Sequence, residues 1–254
     1  MDPAENLANE QARRTGPREL SVEVTGRYRF MRWLDRAVLR LLFDVRAEGL
    51  ERWPSAPFCL VVNHHNGWDP LLLIAVVPES PRISWFGPKE TDFSRGFKNR
   101  AMAFFGGVIP YNAEKTNLTS AVRAVRRVFA SGGVLGIFAE GTAGFRESEL
   151  LPFEEGAVAF ASSAGVPIVP CAVVGSTYMA FRSRVMIRFG DPIPTEGIRG
   201  RGGREGLEQR VRAALGELLP RREPSLPRRR PLRFLGDLLT GPAELARRRA
   251  ERGE

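Results

Sequence analysis

Five short apolar runs, FCLVVN, RISWFG, GVLGIFAEG, VPIVPCAVVG and RVMIRFG, stand between Phe58 and Gly190, each bounded by turn residues. They are continuous rather than alternating, as strands covered on both faces must be. Helical periods lie between them. Over Asn117 to Ser131, Leu118, Ala121, Val122, Val125, Val128 and Phe129 share one face, while Arg123, Arg126 and Arg127 lie off it and Gly132 supplies the stop. Phe153 to Ala164 and Arg204 to Leu219 repeat the pattern, whereas RGRGGREG, Arg199 to Gly206, reads as a flexible loop. Alternation of this kind predicts an α/β domain with a mostly parallel central sheet flanked by helices.

The 254 residues suit one such domain with an appendage at each end. Residues 1–26 form a polar N-terminal segment, 27–220 the domain and 221–254 a basic tail. The domain opens on an amphipathic helix, Arg27 to Val45. At about 100° per residue, Phe30, Met31, Leu34, Ala37, Val38, Leu41, Leu42 and Val45 fall on one face, opposite Arg29, Arg32, Asp35, Arg36, Arg40 and Asp44. Two placements suit it: docked by its apolar face on the domain core, or lying in a membrane interface. The tail carries ten arginines against five acidic residues, a net of +5 out of +9 for the chain. It lacks interleaved aromatics or any nucleic-acid-binding module, so no nucleic-acid partner is expected.

The polar N-terminus has no apolar stretch that would serve as a secretory signal. The longest uninterrupted apolar run, Leu71 to Val77, is far short of the roughly 18 to 20 residues a spanning helix needs. Cys59 and Cys171 sit inside apolar segments and read as small core residues in a reducing cytosol.

Both histidines of the chain fall in VVNHHNGWDP, where a buried strand gives way to a helix. Asp69 followed by Pro70 is a good helix start, since a carboxylate accepts orphan N–H bonds and proline suits the first helical position. His64 precedes it by five residues. Across a strand-to-helix turn that spacing brings a carboxylate to an imidazole nitrogen, fixing one tautomer and stabilising the imidazolium formed when the other nitrogen accepts a proton. The pair is a candidate general base. His65 should point to the opposite side and be dispensable. A second cluster, GIFAEGTAGF, runs a strand directly into Glu140, Gly141 and Thr142, at the kind of strand end where α/β proteins gather ligands. No G-x-S-x-G nucleophile occurs, and two adjacent histidines do not make a three-histidine zinc site, so neither a serine hydrolase nor a metal is expected.

NHHNGWD at Asn63–Asp69, GPKE at Gly87–Glu90, GGVIPYN at Gly106–Asn112, FAEGT at Phe138–Thr142 and VPIVP at Val166–Pro170 resemble, in order and spacing, the blocks of the glycerolipid acyltransferase family. The resemblance covers roughly Val45 to Pro192. It implies transfer of a fatty acyl group from a thioester on coenzyme A or an acyl carrier protein to a lipid hydroxyl, with no bound cofactor. It also implies a peripheral place on the cytoplasmic face of the cell membrane. His64 would be the base and Asp69 its partner; Glu140, Gly141 and Thr142 match the acceptor-side motif. Lys89 would offer a cation to the developing oxyanion or to a donor phosphate. The chain departs from the family pattern at Asn112 and Ala143, where arginines that hold an acceptor phosphate are usual. Arg146 is the candidate replacement. Lysophosphatidic acid is the first expected acceptor, with head-group-bearing or phosphate-free lyso-lipids as the alternative; a catalytically idle membrane-binding relative would have no use for an intact His64 and Asp69.

Overall fold

The computed structural model describes residues 23–88, 107–111, 118–154, 156–224, 231–232, 234–239, 246 and 250. Lys89 and Asn112, both singled out above, lie outside the described residues. Seven strands form one sheet: β1 (Asp44–Glu48), β2 (Phe58–Val62), β3 (Ile83–Pro88), β4 (Val108–Tyr111), β5 (Val134–Phe138), β6 (Ile168–Val174) and β7 (Arg184–Phe189), in the order β1-β7-β6-β2-β5-β3-β4. All pairings are parallel except β6 with β7. The α/β class with a mostly parallel sheet is therefore the one expected.

Alternate residues of β2 serve opposite faces. Phe58, Leu60 and Val62 join one core with Trp85, Cys171, Val173 and Ile187, while Cys59 and Val61 join the other with Leu135, Ile137 and Ile168. The first face is covered by α1 (Gly26–Leu42) and α2 (Asp69–Val76). The second is covered by α3 (Leu118–Ala130), α4 (Gly156–Ala164) and α5 (Gly200–Leu218). A strand buried on both sides has no polar face, which is why β2 and β6 read as unbroken apolar runs. Cys59 and Cys171 are free thiols inside these cores.

The sequence patterns mislead at three places. β1 reads DVRAE, and the helical period ran on to Val45; the chain leaves the helix at Leu42 because β1 is an edge strand whose outer residues face water. RGRGGREG is not a loop, since α5 begins at Gly200. Leu207, Val211 and Leu215 anchor its buried face, and an Arg201–Glu205 ion pair one turn apart helps its glycine-rich start, so packing overrides low propensity.

The third concerns α1. Its apolar stripe faces outward: Phe30, Trp33 and Leu41 are 60%, 63% and 65% exposed, with Leu34 and Val38 beside them. The helix docks through Tyr28, Arg32, Asp35 and Leu39. The Arg32 guanidinium donates to the carbonyls of Ile74 and Val77 at the end of α2, and Arg82 stacks over the Tyr28 ring at 4.5 Å. Arg32 thus acts as a cation at a helix C-terminus, where unpaired carbonyls await donors.

The described residues just beyond 220, and those around 235, pack on the domain. Glu223 accepts the amides of Glu147 and Ser148, and a short helix, α6 (Phe234–Asp237), places Leu235 in the first core. Among the described residues no helix is long and apolar enough to cross a membrane.

Candidate active site

The centre of the sheet determines where chemistry gathers. The register pairs Val62 with Phe138 and with Cys171, so the chain leaves β2 and β5 at the same level. The Asn63 side chain then stands in for ladder: its amide nitrogen donates to the Val173 carbonyl at 3.0 Å and its oxygen accepts the Val173 amide at 2.7 Å. With the main chain turning out of the sheet, His64 needs other partners. Its amide donates to Glu140 Oε1 at 3.1 Å, and its carbonyl accepts the Gly144 amide at 2.7 Å.

The His64 ring is held as firmly. Nδ1 lies 2.9 Å from Asp69 Oδ2, and the ring stacks on Phe138 with centroids 4.3 Å apart. Phe138 in turn lies nearly parallel to Trp85, 5.1 Å away. The side chain is 21% exposed and Nε2 has no hydrogen-bond partner among the described residues. Asp69 is wholly buried as the first residue of α2. Its Oδ2 also accepts the His65 and Asn66 amides at 2.7 and 2.8 Å, so the carboxylate closes the turn before the helix rather than capping the helix itself. Burial alone would raise the Asp69 carboxyl. The His64 hydrogen bond, the electrostatic pull of the two adjacent imidazoles and the Asn66 amide outweigh burial and hold it below the ordinary carboxylate range. An ionised Asp69 requires the proton on His64 Nδ1, which leaves Nε2 as the acceptor.

His65 does point away from His64, yet it is not a spare ring. It is fully buried, with Nε2 2.9 Å from the Asn63 amide nitrogen and Nδ1 3.3 Å from the Gly144 carbonyl. With Asn63 donating to Nε2 and Nδ1 donating to the Gly144 carbonyl, one tautomer serves both of these hydrogen bonds. Beyond it, buried Glu147 accepts the Gly175 and Thr177 amides at 2.9 and 2.7 Å. The loops after β2, β5 and β6 therefore lock into one another.

The acceptor-side candidates divide. Glu140 is buried, and its second oxygen accepts the Leu151 amide at 2.8 Å, so its carboxylate braces two turns. Gly141 and Thr142 are exposed. Gly141 has φ +64°, and a Cβ there would press on the Glu154 side chain at 2.8 Å, which explains the glycine. Ala143 is buried. Arg146 is exposed, its guanidinium 2.9 Å from Glu149. Phe138 and Gly144 stand in or beside the quoted motif but have no role readable from sequence; the β5 register places Phe138, and hydrogen bonds to His64 and His65 place Gly144.

The Acyltransferase family model matches residues 44–174, which run from the start of β1 to the end of β6 and include every side chain just described around His64. The chain belongs to the acyltransferase family. It is similar in sequence to 1-acyl-sn-glycerol-3-phosphate acyltransferases. The sheep alpha enzyme is 29% identical over 181 residues, 63% of this chain and 58% of that one. The Bacillus subtilis enzyme is 25% identical over 150 residues, 58% of this chain and 71% of that one. The chain thus spans under three fifths of the length of the mammalian relatives it matches. In fold, this acyltransferase resembles the crystal structure of PlsC, the 1-acyl-sn-glycerophosphate acyltransferase of Thermotoga maritima. The TM-score is 0.60 at 19% identity, covering 75% of this chain and 79% of that one.

Proposed function

We propose that this acyltransferase moves a fatty acyl group from an acyl thioester to the hydroxyl of a lyso-lipid at a membrane surface, with lysophosphatidic acid as the acceptor. The observation that carries the reading is His64: Nδ1 held by a buried carboxylate, the ring braced by Phe138, and Nε2 open. An alcohol is a weak nucleophile at neutral pH and needs a base placed against its proton. His64 Nε2 takes that proton as the oxygen attacks the thioester carbonyl. Asp69 meets the imidazolium charge that results. When the C–S bond breaks, the imidazolium returns the proton to the departing thiolate, leaving an ester and a free thiol. The balance needs no covalent acyl-enzyme.

The donor is an acyl-CoA or an acyl carrier protein thioester, with Lys89 as the candidate cation for its phosphate or for the oxyanion. Thr142 and Arg146 are the acceptor-side candidates. The exposed apolar stripe of α1 supports peripheral attachment to the bilayer; the cytoplasmic face is the side proposed. A second reading, an acceptor with a head group on its phosphate or no phosphate at all, is favoured by Ala143, which is buried and carries no charge where a phosphate-binding arginine was expected.

Purified protein incubated with either thioester and a panel of lyso-lipids, followed by mass analysis of the products, tests the reading. Transfer is expected to be strongest to lysophosphatidic acid and to fall by roughly 10² to 10⁴ in His64→Ala. Near-normal turnover in that variant would sink the mechanism.

A further inference from the structure

Leu235, Gly236 and Leu239 press on the catalytic turn from behind. Asn66, three residues before Asp69, donates to the Gly236 carbonyl at 3.0 Å, and the Trp68 indole donates to the Leu235 carbonyl at 2.8 Å. The approach is close on both sides. A Cβ at Gly67 would run into the Leu239 carbonyl, and one at Gly236 into the Met179 carbonyl. Only glycines allow backbone to meet backbone in this way. The same Asn66 that holds the segment also gives its amide to Asp69 Oδ2 at 2.8 Å, so one residue links the segment to the carboxylate that orients His64.

The outer face of the segment is apolar as well. Leu232, Phe234 and Leu238 are each more than half exposed, while Leu235 and Leu239 turn inward to the first core. This face continues the exposed stripe of α1. Consecutive amides of one turn join the two: Phe181 donates to the Pro231 carbonyl at 3.0 Å, and Arg182 to the Leu42 carbonyl at 2.6 Å. Leu41 and Leu232, both exposed, flank that seam. Arg182 reaches the Arg40 carbonyl there, bringing two exposed arginine residues to the seam, neither with an acidic partner among the described residues. An apolar surface bordered by exposed arginines fits a bilayer with anionic phospholipid head groups.

We infer that residues 231–232 and 234–239 form a strap whose inner face positions the catalytic turn and whose outer face seats in an anionic bilayer, so that membrane contact tightens the His64–Asp69 geometry. The inference rests on the acyl-transfer reading for its kinetic consequence, but not for its physical one.

Two experiments on the full chain test it. In the first, amide hydrogen exchange over residues 63–69 is followed with and without vesicles of phosphatidylcholine and phosphatidylglycerol. Exchange at His65 and Asn66, whose amides close the Asp69 turn, should slow about tenfold on vesicles. The protection should vanish in Phe234→Ser/Leu238→Ser, which still floats through α1. Equal protection in that variant and wild type would overturn the inference, as would a strap-mediated dimer in the absence of vesicles. This arm needs no activity, so a chain that transfers no acyl group would sink the proposed function while leaving the strap open to measurement.

The second uses a short-chain, monomeric lyso-lipid acceptor. Trp68→Phe keeps an aromatic six-membered ring but deletes the donor to Leu235, and Gly236→Ala lifts the strap. Each should lower kcat about tenfold with KM within about twofold, the mark of a displaced base rather than a lost binding contact. Should Gly236→Ala not fold, Trp68→Phe alone decides. Wild-type kcat in Trp68→Phe would overturn the positioning role.

Discussion

The Glu140 carboxylate accepts the amide of His64, 76 residues away in sequence, at 3.1 Å. Its other oxygen holds Leu151, so one side chain fastens the end of β2 to the loop after β5. Burial raises the Glu140 carboxyl above the ordinary range, and the two amides and neighbouring imidazoles offset only part of that. A role in placing His64 and a role in binding acceptor make opposite kinetic forecasts. In Glu140→Gln one amide N–H meets an NH₂ group instead of an acceptor, and the base shifts. The expected result is a kcat lower by about tenfold, with the acceptor KM within about twofold. A raised KM at unchanged kcat would give Glu140 to the substrate instead.

His65 bears on stability rather than turnover. Its ring is fully buried between Asn63, Gly144 and Glu147. Truncation leaves a cavity and strips a partner from the Asn63 amide. His65→Ala should cost about 2–4 kcal/mol of unfolding free energy. Urea unfolding monitored by circular dichroism measures it; a loss under about 0.5 kcal/mol, the usual scale for an exposed position, would contradict the burial.

The pairing of His64 with Asp69 was legible because it is local: five residues, one turn and a helix start bring them together. The α/β class was legible for the same kind of reason, since a strand buried on both faces leaves an unbroken apolar run. What stayed hidden depends on distant partners. Asn63 finds Val173 across 110 positions, and Leu235 finds Trp68 across 167. No local pattern announces either contact. The α1 period was read correctly, but a period does not say which face turns inward. Arg32 reverses the usual answer, because the carbonyl ends of α2 offer it better partners than water does.

Asp35 gives that reversed docking a pH signature. It is buried on α1, its Oδ2 has no hydrogen-bond partner among the described residues, and burial pushes its carboxyl up to about 7 against the opposing charge of Arg32. From about pH 4 to about pH 7 the folded chain keeps a proton that the unfolded chain has lost, so stability falls as pH rises through that window. The contribution is on the order of a few kcal/mol. Asp35→Asn is neutral and nearly isosteric, and should flatten this slope. Urea midpoints for both proteins at about pH 4.5 and about pH 7.5 give the comparison, and parallel slopes would rule Asp35 out as the source.

The outward face of α1 separates binding from folding. Phe30 and Trp33 stack at 6.0 Å on the exposed side, while the docking contacts come from Tyr28, Arg32, Asp35 and Leu39. Replacing Phe30, Trp33 and Leu41 by serine therefore removes nothing the folded chain uses, and the thermal midpoint should stay within about 2 °C of wild type. The same change removes the side chains that would enter the bilayer, each worth roughly 1.5–3 kcal/mol when fully buried. Partition onto anionic vesicles should drop by at least about 10²-fold. Arg36→Gln/Arg40→Gln should act through charge instead, at roughly 1 kcal/mol per arginine, and should weaken the dependence of binding on salt. A triple serine variant that unfolds early and floats normally would show that the apolar stripe packs against protein, and that the bilayer meets this enzyme somewhere else.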